Sequence, residues 1–321
     1  MLLSDPDAQV ARWRQQLGLV LAQASETIIA LAGQVAGSEV GNATRTRIQS
    51  LARAIAEQAD DIAVVLGPVL GGHLPPSEGE ELPRGATDYI SYLFRDWAWA
   101  AGSDEENSRS LAAVRQVSGD RDLGRMLVLG AGACRLAYDL HLQAGASGTA
   151  CVDIDPFLLV AAEAVIRGRP VALTETSVNA PEVDPVSRRW ALAAPSGPLG
   201  PEAFHFFLAD GTEPPFADGS FDTIVTPWFV DQVPTDLVAL LRRLHALLAP
   251  GGRWINHGPL IYRPDALPIT RWYTRQELFE LAGQIGFRMG AWQNASQPCL
   301  LSPLTGRGLI ENVLTFEATR A

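Results

Sequence analysis

Gly130, Gly132, Asp153, Asp210 and Gly211 fall in order along the chain, in three groups that each follow a short apolar run. In Leu127-Val128-Leu129-Gly130-Ala131-Gly132-Ala133-Cys134-Arg135 the run turns through two glycines into a helix start. Glycine there lets backbone approach a ligand where a Cβ would collide. Asp153 closes a second run about twenty residues later, where a carboxylate accepts hydrogen bonds from ribose hydroxyls. Leu208-Ala209-Asp210-Gly211 sets a third acid behind a third run, positioned to accept from an adenine amino group. Taken singly, a glycine turn or an Asp-Gly turn after a strand is ordinary loop chemistry. In this order, at successive strand ends, they describe a cleft for an adenosine-containing cofactor.

Such a cleft needs a parallel sheet to hold the three turns at one edge. From Arg125 onward, short apolar runs alternate with helical stretches, the pattern of a parallel sheet covered by helices on both faces. The spacing predicts strands over 126–129, 149–154, 206–209, 223–226 and 253–256, with a late strand over 312–317. It predicts a helix over 237–248, stopped by Pro250-Gly251-Gly252, and another over 274–286 with Thr274 as N-cap. Ahead of these, apolar residues recur at helical spacing over 7–66, with a break at 37–42. Residues 71–84 form a turn-rich connector, and 87–100 resume as an aromatic-dense helix. The fold expected is α/β: a Rossmann-like, seven-stranded sheet over residues 86–321, preceded by an N-terminal helical extension over 1–85. Residues 175–201 read as a long, proline-rich loop inserted near the site.

Composition narrows the partners. With 321 residues and 47% hydrophobic content, the chain can bury a full core. Its net charge of -11 repels phosphate backbones and anionic lipid, which argues against nucleic acid and membrane surfaces and for a small-molecule substrate. All 25 basic residues are arginine, which removes any Schiff-base lysine, pyridoxal phosphate linkage or Walker A lysine. Cys134, Cys151 and Cys299 form no C-x-x-C pattern, so neither a disulfide framework nor a metal site is expected, and a reducing cytoplasm is the expected compartment. Residues 17–35 are apolar but interrupted by Gln23, Ser25, Glu26 and Thr27, and no basic segment precedes a short apolar core. Neither a membrane span nor a signal peptide is expected.

Nicotinamide dinucleotides and S-adenosylmethionine both fit a glycine turn with an acid at the next strand end. The dinucleotide fingerprint wants glycine or alanine at its sixth position for tight helix packing. Here that residue is Arg135, which favours S-adenosylmethionine. Phe221-Asp222-Thr223-Ile224-Val225 and Leu248-Ala249-Pro250-Gly251-Gly252 resemble the later landmarks of class I methyltransferases, so the sheet is expected to be of that type.

Several segments go further and resemble the carnosine N-methyltransferase family, also called N2227-like proteins. They are Phe94-Arg95-Asp96-Trp97, Gly130-Ala131-Gly132 with Arg135-Leu136-Ala137, Thr226-Pro227-Trp228-Phe229-Val230-Asp231, Trp254-Ile255-Asn256-His257-Gly258-Pro259-Leu260-Ile261-Tyr262, and Glu311-Asn312-Val313-Leu314. The resemblance covers about two thirds of the chain, and the tryptophan-led segment ending in Gly-Pro-Leu-x-Tyr is its most specific part. It implies that Arg95 binds the carboxylate of S-adenosylmethionine, as suits a guanidinium fork. It puts Gly130 and Gly132 by the methionine part, Asp153 on the ribose, and Asp210 with Gly211 at the adenine end, and it counts Thr226 among the cofactor contacts. Asp231 is implied to contact the imidazole of a histidine-containing acceptor, fixing its tautomer as charge develops. Plainer readings stand beside these: Arg95 as a surface arginine paired with a neighbour, Asp231 as the cap of the helix after Pro234, and His257 as a packed histidine.

The match breaks in the acceptor pocket. Arg263 follows Tyr262 where the family carries a histidine, His257 stands where it usually has leucine, and Gly308-Leu309-Ile310 replace a tyrosine cluster. With His257, Tyr262 and Arg263 taken as substrate contacts, Arg263 can pair with a substrate carboxylate. Histidine or a thiohistidine derivative then fits as well as carnosine. Another amine, hydroxyl or thiol acceptor, or a binding module that keeps the cofactor without transferring methyl, are the alternatives.

Overall fold

The computed structural model describes residues 2–3, 6–36, 40–70, 89–99, 105–177, 186–264 and 267–321. A two-residue strand, β1 (Leu2–Leu3), is followed by the long helices α1 (Pro6–Ala36) and α2 (Asn42–Leu70) and the shorter α3 (Ile90–Trp97) and α4 (Glu105–Ser118). Strand and helix then alternate through β2 (Gly124–Leu129), α5 (Arg135–Gln143), β3 (Ala146–Asp153) and α6 (Pro156–Ile166). A hairpin of β4 (Val171–Thr176) and β5 (Ser187–Leu192) leads to β6 (Phe204–Leu208), β7 (Phe221–Pro227), α7 (Leu237–Leu247) and β8 (Leu248–Gly258). The chain closes with α8 (Arg275–Ile285), β9 (Phe287–Cys299) and β10 (Leu309–Arg320).

The main sheet runs in the order β1-β6-β3-β2-β7-β8-β10-β9. From β6 to β9 it is the expected seven-stranded, Rossmann-like sheet, parallel except for β10, which runs antiparallel to both β8 and β9. β1 adds an eighth strand beside β6. Residues on β2 alternate between two cores, as a period of two requires. Met126 and Val128 join the core packed by α3, α4, α5 and α6, while Leu127 and Leu129 join the one packed by α7 and α8. Helix ends follow local chemistry. Asp155 caps α6 ahead of Pro156, Asp236 caps α7, and Thr274 with Glu277 forms a reciprocal capping box on α8.

Register fixes the edge where the site lies. Leu129 pairs with Val152 and Asp153 with Leu208, so Gly130, Asp153 and Asp210 emerge together at the carboxyl ends of β2, β3 and β6. β7 ends there too, with Pro227 opposite His257. Because β10 is antiparallel and pairs Leu314 with Gly258, its first residues, including Glu311, begin at this same edge. The chain leaves β2 for β3 on one side and has β7 on the other, which is the switch point where open α/β sheets bind ligands.

The segment read as a loop over 175–201 carries strand β5, paired antiparallel with β4; residues 178–185 of it lie outside the described residues. The connector 71–84 and the boundary between 85 and 86 also lie outside them. α2 packs into the same core as α3 and α6 through Ile62 and Leu66, and its Asp61 bonds Thr174 of the hairpin at 2.7 Å and pairs with Arg189 at 2.7 Å. Glu175, buried, joins three further segments by accepting from Trp99 Nε1, Trp190 Nε1 and Ser302 Oγ. Glu175→Ala leaves three donors unmatched and is expected to lower stability by about 3 kcal/mol. A urea midpoint equal to that of the parent protein would contradict the role of this residue as a tie. Among the described residues, no helix is long and apolar enough to cross a membrane, and no group of three or more His, Cys, Asp or Glu is placed to hold a metal ion.

Candidate active site

A cavity of about 750 Å³ opens at the carboxyl edge of the sheet. Arg95, Gly130, Gly132, Asp153, Asp210, Gly211 and Arg263 all line it. Thr226, Asp231, His257 and Tyr262 do not.

The glycine turn is held from below and open above. Gly130 and Gly132 sit at φ +68° and +55°, which side chains rarely adopt. A Cβ on Gly130 would stand 2.7 Å from the Phe229 ring, and one on Gly211 would stand 2.8 Å from the same ring. These two glycines make room for Phe229. A Cβ on Gly132 would meet nothing within 4 Å, so this backbone is left bare on the cavity side. Gly132 N–H donates to Asp153 Oδ2 at 2.7 Å, and Asp155 N–H donates to Oδ1 at 2.9 Å. Burial raises the Asp153 carboxyl above its ordinary range, against the amides of Asp155, Gly132 and Ile154. With about four lone-pair sites on its two oxygens, the carboxylate can still accept a further donor. Asp155 is pushed up to about 6 by burial.

Asp210 is exposed and takes Thr212 N–H and Oγ1–H on one oxygen, at 2.8 and 2.7 Å. Arg95 donates to Asp96 at 2.6 Å and lies 3.4 Å from Glu106, over the Tyr92 ring. It is thus both a paired arginine and a cavity residue. Burial opposes its charge, yet the two carboxylates outweigh burial and hold the guanidinium above its ordinary value. Arg135 bonds Asp139 at 2.8 Å and the Asp96 carbonyl at 2.6 Å, tying α5 to α3, so the residue that departs from the dinucleotide fingerprint serves packing.

On the far side stands Trp228, at φ +44°, a strained conformation for a bulky residue. Its N–H donates to the His257 carbonyl at 2.9 Å, and Gly258 leaves it room, since a Cβ there would lie 2.8 Å from Trp228 N. Its indole N–H donates to Glu311 at 2.7 Å. His257 is not on the cavity wall. It is fully buried, with Nδ1 2.8 Å from Thr315 Oγ1 and its ring edge-on to Trp228 at 4.9 Å. Burial lowers it to about 3, so it packs as a neutral ring beneath Trp228. Thr226 accepts from Trp254 Nε1 at 2.8 Å and donates to Asn256, bracing β7 against β8. Tyr262 is buried against Trp272 and Tyr273.

Asp231 is 1% exposed and does not cap α7, since Asp236 does. Its Oδ2 accepts from Ile261 N–H at 2.9 Å and Gln232 Nε2 at 3.0 Å, while Oδ1 is buried with no partner. Burial pushes it up to about 6. Its neighbours Trp228, Phe229, Gln232 and Ile261 all face the cavity. Sequence reasoning assigned no role to Asp96, Glu106, Trp228 or Glu311; Asp96, Trp228 and Glu311 stood inside the resembling segments as a usable signal.

Residues 177–296 match the model of the carnosine N-methyltransferase family. That stretch holds Asp210, Gly211, Thr226, Asp231, His257, Tyr262 and Arg263, whereas Arg95, the glycine turn and Asp153 lie before it. The chain is an S-adenosylmethionine-dependent methyltransferase. No curated protein matches the sequence of this methyltransferase. Among solved structures it is similar to a SAM-dependent methyltransferase of Methanosarcina mazei, at 16% identity over 62% of this chain and 93% of that one, with a TM-score of 0.42. It is also similar to the YcgJ protein of Bacillus subtilis, at 12% identity over 66% and 98% of the two chains, with a TM-score of 0.44. Likenesses this distant say nothing of what the methyltransferase acts on. S-adenosylmethionine is its expected cofactor. The bare backbone of Gly132, with Asp153 beside it, fits that molecule.

Proposed function

We propose that the methyltransferase transfers a methyl group to an imidazole nitrogen of a histidine-containing small molecule, such as a carnosine-like dipeptide, histidine or a thiohistidine derivative. The observation that carries this reading is Asp231 Oδ1, a buried carboxylate oxygen without a partner inside the family-matched segment. A buried acceptor of that kind costs free energy until it meets a donor, and an imidazole N–H is a fitting one.

Bound S-adenosylmethionine supplies a methyl group already activated on a sulfonium, so the protein's task is to hold the acceptor lone pair in line. Arg95 takes the methionine carboxylate, with Glu106 and Asp96 beside it for the ammonium. Gly132 backs the chain of the methionine, Asp153 takes the ribose hydroxyls, and Asp210 with Gly211 borders the adenine. Asp231 accepts the imidazole N–H through Oδ1, which leaves the other ring nitrogen unprotonated for attack and stabilises the imidazolium that forms. Gln232 and the Ile261 amide hold the other oxygen, Oδ2, and the imidazole reaches the buried Oδ1 only when the side chains covering it move aside. The N-terminal helical region, residues 1–85, lends Ile62 and Leu66 to the wall of the methyltransferase domain, residues 86–321.

Mass spectrometry after incubation with S-adenosylmethionine tests this across histidine, carnosine, histamine and thiohistidine, with non-imidazole amines and thiols beside them. A gain of one methyl located on an imidazole ring is expected. Methylation confined to the non-imidazole compounds would sink the reading.

A further inference from the structure

Glu311 has no part in the roles assigned so far, yet it lines the cavity. It reaches that wall because β10 runs antiparallel and starts beyond the tip of β8. Its carboxylate is fixed by the indole N–H of Trp228 at 2.7 Å. Trp228 is itself fixed, by the His257 carbonyl, by the bare Gly258 and by the edge of the His257 ring. A left-handed tryptophan persists only where its surroundings over-determine it. The result is a carboxylate whose orientation is settled before any ligand arrives.

Burial is the main cause that raises the Asp231 carboxyl, and the nearby charge of Glu311 adds to it. Two carboxylates therefore stand near the acceptor end, one buried with an unpartnered oxygen and one on the wall. Like charges so placed favour a ligand that brings more than one donor or a positive charge. An imidazole ring answers Asp231 through its N–H and leaves Glu311 unanswered.

Resting on the imidazole reading, we propose that Glu311 selects the acceptor by binding an ammonium group that the acceptor carries beyond its ring. The acceptor class is then an imidazole with a free amine, an amino acid or aminoacyl compound, in preference to a neutral or purely anionic imidazole. Trp228 is the positioning residue that aims the carboxylate.

The test compares whichever imidazole the wild-type protein methylates with its N-acetyl form, in which the ammonium becomes a neutral amide. Acetylation is expected to raise the wild-type KM about 10- to 100-fold with little change in kcat, the size of one charged hydrogen bond. Glu311→Gln should raise KM for the free amine by a similar factor and leave the acetylated form within about twofold, while calorimetry finds S-adenosylmethionine bound as in the parent. Equal wild-type KM for the two forms, or an equal loss on both in Glu311→Gln, would overturn the assignment and leave the imidazole reading standing. Methylation of no imidazole would remove that reading, and this inference with it.

Discussion

Asp231→Asn is expected to cut methyl transfer by about 100-fold or more while making the folded protein harder to unfold at pH 7.5. The activity loss follows because an amide cannot stabilise the developing imidazolium or enforce the tautomer as a carboxylate does. The gain in stability follows from burial. Asp231 sits at about 6 in the folded protein against an ordinary 3.8, so the native state holds its proton more tightly than the unfolded chain does. Its contribution is then most favourable below pH 4 and is lost as pH rises through 6. Asparagine removes that titration and still offers an oxygen to the Ile261 amide. The gain should be roughly 2 kcal/mol at pH 7.5 and should vanish near pH 4. Urea unfolding at the two pH values, with initial rates on the methylated imidazole, reads both effects. Full activity in the variant would remove Asp231 from the chemistry, and a loss of stability at pH 7.5 would contradict the cost assigned to its burial.

The two glycines of the cofactor turn should fail in different ways. Gly132→Ala places a methyl group where the protein has only open cavity, so unfolding should report little beyond the left-handed strain, about 1–2 kcal/mol. The affinity for S-adenosylmethionine should fall by about 100-fold, because the new Cβ occupies the space the methionine chain needs. Gly130→Ala drives its Cβ to 2.7 Å from the Phe229 ring, so the damage falls on the fold. Strain and overpacking together should cost roughly 3 kcal/mol. Calorimetry and urea unfolding on the pair separate the two. Unchanged cofactor affinity in Gly132→Ala would show that the ligand lies elsewhere.

Much of this was legible in the sequence, for a physical reason. Central parallel strands are covered on both faces and so read as unbroken apolar runs, as Met126 to Leu129 do, and the turns behind them carry Gly130, Gly132, Asp153 and Asp210. The capping box at Thr274 and Glu277 announced α8 equally plainly. β9 escaped because most of its residues are exposed, which leaves no apolar alternation to follow. The β4–β5 hairpin escaped because it lies in a proline-rich stretch and is stabilised by distant partners, among them Asp61 and Trp99. His257 illustrates the opposite error. Its chemistry suggested a ligand contact, but a strand interior places it against Thr315 and Trp228, where it supports the wall and does not form it. Glu311 stood in a resembling segment, and only the antiparallel run of β10 reveals that it meets the cavity.

In the proposed function, S-adenosylmethionine lies across the carboxyl edge of the sheet with its methyl turned toward the Trp228–Asp231 side. A crystal structure of the protein with S-adenosylhomocysteine tests it most directly. Ribose hydroxyls on Asp153, the homocysteine chain against Gly132, and sulfur facing the wall that carries Trp228 are expected. An empty cleft, or a nucleoside bound with Asp153 turned away from it, would contradict it.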